Sequence, residues 1–236
     1  MSANISLDAL LERLRNETGK LSIEIEQEIK SLWQWGIERI EDPAIKGTLE
    51  DYIFHRVPAN FFLAPSSVTG NHHPYWHNRP GGLLRHITEC CVSADRLISL
   101  FGYVNKNDKV DANIRDRVLA ATVITDTQKN GVPWGDHTVP NHGEIAAKIW
   151  REVWDESNDP RCPSKISIAQ ASHWHYGRYT PVPDGEKRVS FIELNDITKI
   201  VHLLDACSSA FYYEFIYRPV DRVISPEEAC AFFIKR

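Results

Sequence analysis

Apolar residues recur every three or four positions along most of this chain, which is the spacing of helices that bury one face. The pattern predicts an amphipathic helix over 22–40 and a long helix over 83–101, with Gly102 as its C-terminal cap. Four further helices are predicted at 112–127, 142–154, 164–175 and 192–215, with Asn141 and Ser164 as the N-cap candidates of the second and third of them. We therefore expect an all-α fold, a helical bundle with an N-terminal helical extension.

Two segments interrupt the helical pattern. Residues 54–80 are rich in proline and contain His72, His73 and His77, which predicts an ordered loop packed over a site. Residues 180–190 contain two prolines and the turn pair Asp184-Gly185, which predicts a loop or a small hairpin.

Length and composition favour one main domain. The chain has 236 residues, of which 42% are hydrophobic, and this is enough for one substantial core. We expect a helical extension over residues 1–55, which offers a face for a protein partner, and one domain over residues 56–236. The net charge of −5, without a run of Lys or Arg, argues against general electrostatic attraction to nucleic acid.

Cysteine usage and hydropathy suggest a location. The five cysteines are odd in number and include the adjacent pair Cys90-Cys91, so we expect buried free thiols in a reducing compartment. Asp8 and Glu12 interrupt the first apolar stretch, and no segment approaches the roughly 18 apolar residues of a membrane span. The sequence thus predicts a soluble, cytoplasmic protein that does not bind membranes.

Several histidines and aspartates lie at predicted helix ends or on apolar helix faces. They are His86, Asp126, His142, His173, His175 and Asp205. A single histidine on such a face is more often a hydrogen-bonded core residue than a ligand. Asp205, however, lies within Val-His-Leu-Leu-Asp-Ala-Cys, where burial of a carboxylate is costly unless a cation or several donors meet it.

A metal ion would satisfy these side chains together. Imidazole with carboxylate suits a divalent transition metal, and we expect one or two ions of Mn, Fe, Ni, Co or Zn. Such a site is typical of hydrolysis that needs no Ser or Cys nucleophile, and no recognisable nucleophile of that kind is present.

Residues 61–211 resemble the HD-domain family of metal-dependent phosphohydrolases. The stretch Pro-Gly-Gly-Leu-Leu-Arg-His at 80–86 is similar to the start of HD domains in certain 3′-to-5′ exoribonucleases and conjugative relaxases. The helix ending in Asp126 and Lys129 resembles the family's His-Asp helix, except that Thr125 stands where the family has histidine. Later matches to the family's ligand positions are Asn141-His142-Gly143, Trp174-His175-Tyr176-Gly177 and Leu204-Asp205-Ala206.

The resemblance implies roles for these residues. His86, Asp126 and Asp205 would hold one ion, and Asp126, His142 and His175 a second, with Asp126 bridging the two. His173 and Thr125 would lie behind the ligands, and His173 would orient them. The catalytic residues would be Asp126, Lys129 and His77, the last two in contact with substrate phosphate. Arg79 and Arg85 would bind phosphate, although exposed arginines are usually just solvated.

The resemblance also implies a function. We expect a phosphohydrolase or phosphodiesterase whose substrate is a nucleotide or the end of a nucleic acid. Thr125 removes one imidazole and should weaken one metal site. It therefore favours an alternative, a catalytically degenerate HD domain that serves as a nucleotide-binding or scaffold module in a larger assembly.

Overall fold

The computed structural model describes residues 37–67, 73–74, 77–100, 112–182 and 189–209. These residues form six α-helices and three short 3₁₀ helices, and within them there is no strand. The α-helices are α1 (Pro43–His55), α2 (Gly82–Leu100), α3 (Ala112–Ile124), α4 (His142–Ser157), α5 (Pro163–Trp174) and α6 (Asp196–Ser209). The all-α prediction is confirmed.

The helix ends differ from the predicted ends in ways that matter for the site. Helix α3 ends at Ile124 instead of 127, because the hydroxyls of Thr125 and Thr127 donate to the carbonyls of Thr122 and Ile124 at 2.9 and 2.7 Å. The chain then runs through turns from 125 to 134, and Asp126 lies in the first of these turns.

The caps of α4 and α5 also differ in detail. Asn141 is at the N-cap of α4 as predicted, but its side chain makes no capping hydrogen bond. The N-cap of α5 is Cys162 followed by Pro163 in the first turn, so the prediction that Ser164 caps this helix was wrong.

Several predictions fall outside the described residues. They concern most of the helix predicted at 22–40, the central part of the predicted hairpin, the last part of the final helix, and His72. The described remnant of the first of these, Ile37 and Ile40, is buried.

One hydrophobic core joins the described helices. Helix α1 contributes Leu49 and Tyr52, and α4 contributes Trp150 and Trp154, all of them fully buried or nearly so. Residues before position 56 therefore share a core with the residues after it. Asp116 of α3 fastens the start of α1 by accepting hydrogen bonds from the backbone of residues 41 and 42 at 2.8 and 2.7 Å.

Helix α4 packs against α5, while α2 packs against α3 and α6. This arrangement directs the end of α3, the start of α4, the end of α5 and the middle of α6 towards one buried region. Among the described helices, none combines the length and apolar character needed to cross a bilayer. Cys90 and Cys91 are buried free thiols as expected, whereas Cys207 is exposed.

Candidate metal centre

Asp126 lies at the centre of a buried cluster of histidine and aspartate side chains. It follows α3 by two positions and is 1% exposed. Its neighbours come from the first turns of α2, the start of α4, the residue after α5 and the middle of α6. These neighbours are His86, His142, His175 and Asp205, the residues that the sequence analysis predicted as metal ligands with Asp126.

The first half of the cluster contains Asp126, His142 and His175. Asp126 Oδ1 lies 2.9 Å from His142 Nε2 and 3.6 Å from His175 Nε2, and the two imidazole nitrogens are 3.2 Å apart. His142 Nδ1 donates to the carbonyl of Val139 at 2.7 Å, and His175 Nδ1 donates to that of Ser172 at 2.6 Å. Since a carbonyl oxygen can only accept, both imidazoles carry a proton on Nδ1.

These hydrogen bonds leave the Nε2 atoms of His142 and His175 facing each other. Burial lowers the pKa of His142, which favours its neutral form. Asp126 Oδ1 is buried between these nitrogens and has no well-formed hydrogen bond. Burial would lower the pKa of His175, but Asp126 raises it, so a proton can lie among these three atoms when no ion is bound. The two Nε2 atoms and Asp126 Oδ1 converge on one point, which a metal ion could occupy in place of that proton.

The second half of the cluster contains His86 and Asp205. His86 Nε2 lies 3.0 Å from Asp205 Oδ1 and 3.6 Å from Asp126 Oδ2. On the other side of the ring, His86 Nδ1 lies 3.0 Å from the hydroxyl of Ser208. The Asp205 side chain retains 17% exposure, against 2% for His86 and for Asp126, so the cluster meets solvent at Asp205.

The charges around the cluster favour ionised carboxylates. Burial alone would raise the pKa of Asp126, but Lys129 and His142 hold it well below its usual range. Burial would likewise raise the pKa of Asp205, but the neighbouring His86 outweighs this effect and lowers it. The Lys129 ammonium lies 3.0 Å from Asp126 Oδ2, and this carboxylate raises the pKa of Lys129 despite burial. Both aspartates are therefore negative at neutral pH.

Two residues beside the ligands, Gly143 and Tyr176, shape the first half of the cluster, and no role was predicted for either of them. A Cβ atom on Gly143 would lie 2.5 Å from the Ser172 carbonyl and 2.9 Å from the His175 ring. The Tyr176 ring stacks on His175 with centroids 4.6 Å apart and meets His142 edge-on at 5.0 Å. In the sequence each of them directly follows one of the two histidines, and this position could have indicated that they contact the site.

A third group of histidines borders the second half of the cluster. His73, His77 and His86 have one ligand nitrogen each, all within 4.8 Å of one another. His77, predicted to contact phosphate, is fully buried, and its Nε2 lies 2.8 Å from Glu89 Oε2. His73 was predicted to lie in a loop over the site but was not predicted as a ligand.

The other predicted site residues lie around these groups. Arg85, predicted to bind phosphate, is 4% exposed and its Nε lies 3.5 Å from Glu89 Oε1, so it is not a solvated surface charge. Arg79 is exposed. His173 is half-buried against the Trp174 ring, with centroids 4.8 Å apart. Thr125 is buried, and its hydroxyl donates to the α3 backbone.

The donor set fits a metal ion, because imidazole and carboxylate groups from three helices, from the residue after α5 and from the turn after α3 converge on common points. The groups His86-Asp126-Asp205 and Asp126-His142-His175 each have ligand atoms within 4.8 Å of one another. The described His and Asp residues can therefore hold a metal ion. Comparisons of the chain with family models, curated proteins and solved structures found no match.

Proposed function

We propose that this chain is a metal-dependent phosphohydrolase or phosphodiesterase of the HD type, acting on a nucleotide or on the end of a nucleic acid. One observation carries the proposal. His142 and His175 hold their Nδ1 atoms against backbone carbonyls and direct both Nε2 atoms at Asp126 Oδ1, inside a buried cluster. Such a donor set belongs to a transition metal, and metal centres of this kind hydrolyse phosphate esters.

Asp126 is suited to bridge two ions because its two oxygens face different partners. Oδ1 faces His142 and His175, whereas Oδ2 faces Lys129 at 3.0 Å and His86 at 3.6 Å. Three protein ligands for each ion would leave a coordination position for water. A divalent ion bound here would lower the pKa of water and neutralise charge on a phosphoryl oxygen.

The protein's own groups would hold and orient the substrate. Asp205 is the most exposed of the five predicted ligands, so a phosphate ester would approach beside it. Lys129, held against Asp126, places a second positive charge next to the ions, where it would favour an anionic substrate. Arg85 is engaged with Glu89, the carboxylate that also contacts His77.

A second candidate function is a catalytically degenerate HD domain that binds a nucleotide or serves as a scaffold. Thr125 favours it, because its hydroxyl donates to the Thr122 carbonyl at 2.9 Å and is thereby committed to the end of α3. In this case the protein would bind a nucleotide without hydrolysing it.

Hydrolysis of bis-p-nitrophenyl phosphate with added Mn²⁺, Co²⁺ or Ni²⁺ tests the proposal. We expect His142→Ala to lose at least about 10- to 100-fold in rate, the range seen when even an outer partner of a metal ligand is lost. The matched control is His55→Ala, which removes an exposed histidine of α1 and should leave the rate unchanged.

Three results would bear on the two candidates. A rate that both histidine variants share with the wild type would indicate a contaminating hydrolase. Absence of hydrolysis with every metal and nucleotide tested would exclude the enzyme. Nucleotide binding under those conditions, detected by calorimetry, would support the degenerate domain instead.

A further inference from the structure

His73 and His77 form a feature that the two metal groups around Asp126 leave unexplained. The rings of His73 and His86 meet edge-on with centroids 4.8 Å apart, and those of His77 and His86 are 5.4 Å apart. His73 is only 6% exposed, and its Nδ1 is buried without a hydrogen-bond partner. An unsatisfied imidazole nitrogen in the interior is costly unless it meets a donor or a cation.

Glu89 fixes which nitrogen of His77 can act as a ligand. Glu89 Oε1 lies 3.5 Å from Arg85 Nε, and this ion pair favours the ionised carboxylate, which can only accept a hydrogen bond. His77 Nε2 therefore donates to Glu89 Oε2 at 2.8 Å, and the lone pair of the neutral ring is on Nδ1. A carboxylate behind a histidine in this way is the usual means of orienting a metal-binding imidazole.

The contacts of His86 indicate which of its two nitrogens would bind an ion. Ser208 donates its hydroxyl to Glu89 at 3.5 Å, which leaves its oxygen to accept from His86 Nδ1 at 3.0 Å. When an ion is bound, the lone pair of His86 would therefore be on Nε2, 3.0 Å from Asp205 Oδ1 and 3.6 Å from Asp126 Oδ2. One nitrogen lone pair binds one ion. The group His73-His77-His86 and the group His86-Asp126-Asp205 share His86, so they surround the same position.

We propose that His73 and His77 are ligands of the ion that His86, Asp126 and Asp205 hold. This inference rests on the proposed function, because it concerns one half of the same metal centre. The position then has three imidazoles and two carboxylates, where the predicted set has one imidazole. A nitrogen-rich set selects Zn²⁺, Co²⁺, Ni²⁺ or Fe²⁺ and discriminates against Mg²⁺ and Ca²⁺, which prefer oxygen ligands.

The packing of the His77 segment supports a fixed ligand position. A Cβ atom on Gly82 would lie 1.9 Å from the His77 carbonyl oxygen, so only glycine allows this backbone to lie against the start of α2. The His77 carbonyl also accepts from the Ser66 backbone at 2.8 Å. These contacts hold His77 beside His86 before any ion binds, as preorganised ligands require.

Titration with Co²⁺ tests the inference, with bound metal counted by elemental analysis and the visible absorption of Co²⁺ reporting its ligands. In the wild type we expect two ions. In His73→Ala and His77→Ala we expect one ion to bind at least about 10- to 100-fold more weakly, with a change in the absorption of that ion. His142→Ala should weaken the other ion, and His55→Ala should match the wild type.

The outcomes separate this inference from the proposed function. Wild-type protein with two ions, together with unchanged affinity and spectra in both loop variants, would overturn the inference and leave the proposed function standing. Wild-type protein that binds no Co²⁺ would overturn both. If His73→Ala fails to fold, His73→Gln replaces the ring by a side chain of similar length that ligates these ions poorly, and the same two outcomes apply to it.

Discussion

Replacement of Gly143 by alanine is the sharpest structural test of how the metal centre is built. The added Cβ would lie 2.5 Å from the Ser172 carbonyl oxygen and 2.9 Å from Cε1 and Nδ1 of His175. A contact of 2.5 Å with a backbone atom cannot be relieved by a side-chain rotation, so α4 and α5 must move apart. Because His142 precedes Gly143 and His175 follows α5, that movement separates two predicted ligands.

The expected magnitude follows from two opposing effects. Overpacking of this kind costs about 1 to 3 kcal/mol, and contact with backbone places Gly143→Ala near the upper end. Against this cost, alanine is more favourable than glycine within a helix by about 1 kcal/mol of folding free energy. The net loss in the free energy of unfolding is therefore about 2 kcal/mol, which corresponds to a fall in Tm of about 4 to 8 °C for a chain of this size.

Thermal unfolding and Co²⁺ titration of the same preparations measure both consequences. We expect Gly143→Ala to lower Tm and to weaken the ion held by His142 and His175 by about 10- to 100-fold. Gly47→Ala is the matched control, because Gly47 lies within α1 and a Cβ there would have no neighbour within 4 Å. In this control we expect the free energy of unfolding to rise by about 0.5 to 1 kcal/mol and the affinity for metal to stay the same.

One result would refute the reasoning. If Gly143→Ala is as stable as Gly47→Ala and binds Co²⁺ as tightly, the close approach of α4 and α5 does not set the distance between the two histidines. The proposed role of Gly143 would then be wrong, whatever metal the protein binds.

Three further substitutions test other parts of the structure. Asp205→Ala should release the ion held by His86 and lower the free energy of unfolding by about 1 to 3 kcal/mol, since it leaves a buried imidazole without its partner at 3.0 Å. Unchanged metal content and an unchanged Tm would contradict this. Thr125→Val should leave the number of bound ions unchanged, because the Thr125 hydroxyl donates to the Thr122 carbonyl, and loss of an ion on elemental analysis would show that Thr125 is a ligand. Tyr52→Phe should lower the free energy of unfolding in urea by about 0.5 to 1.5 kcal/mol, because it removes a buried hydrogen bond of 2.6 Å to Thr127; equal urea midpoints would show that this bond adds no stability.

The helices were predictable because their signal is local. Apolar spacing identified α2, and it placed the starts of α3 and α4 at the residues where the structure has them. The end of α3 was misplaced because two threonine hydroxyls bind its last carbonyls, and apolar spacing contains no information about such bonds.

The sequence was sufficient to predict most residues of the candidate site, but not the contacts that these residues make. Asp205 stood out because a carboxylate in an apolar helix needs a partner, and His86 now lies 3.0 Å from it. The partner of Arg85 was missed although Glu89 is one helical turn away, since spacing alone does not reveal that both are buried. His73 was missed as a ligand because its loop has no periodicity that relates it to a helix.

The metal content of protein purified without chelator tests the central claim most directly, with Asp126→Asn as the comparison. The substitution keeps the size of the side chain and removes the charge that the two halves of the cluster share. We predict at least one equivalent of a transition metal in the wild type and a large loss in the variant. Wild-type protein with less than about a tenth of an equivalent that gains none on titration, or a variant that retains the full content, would contradict the account.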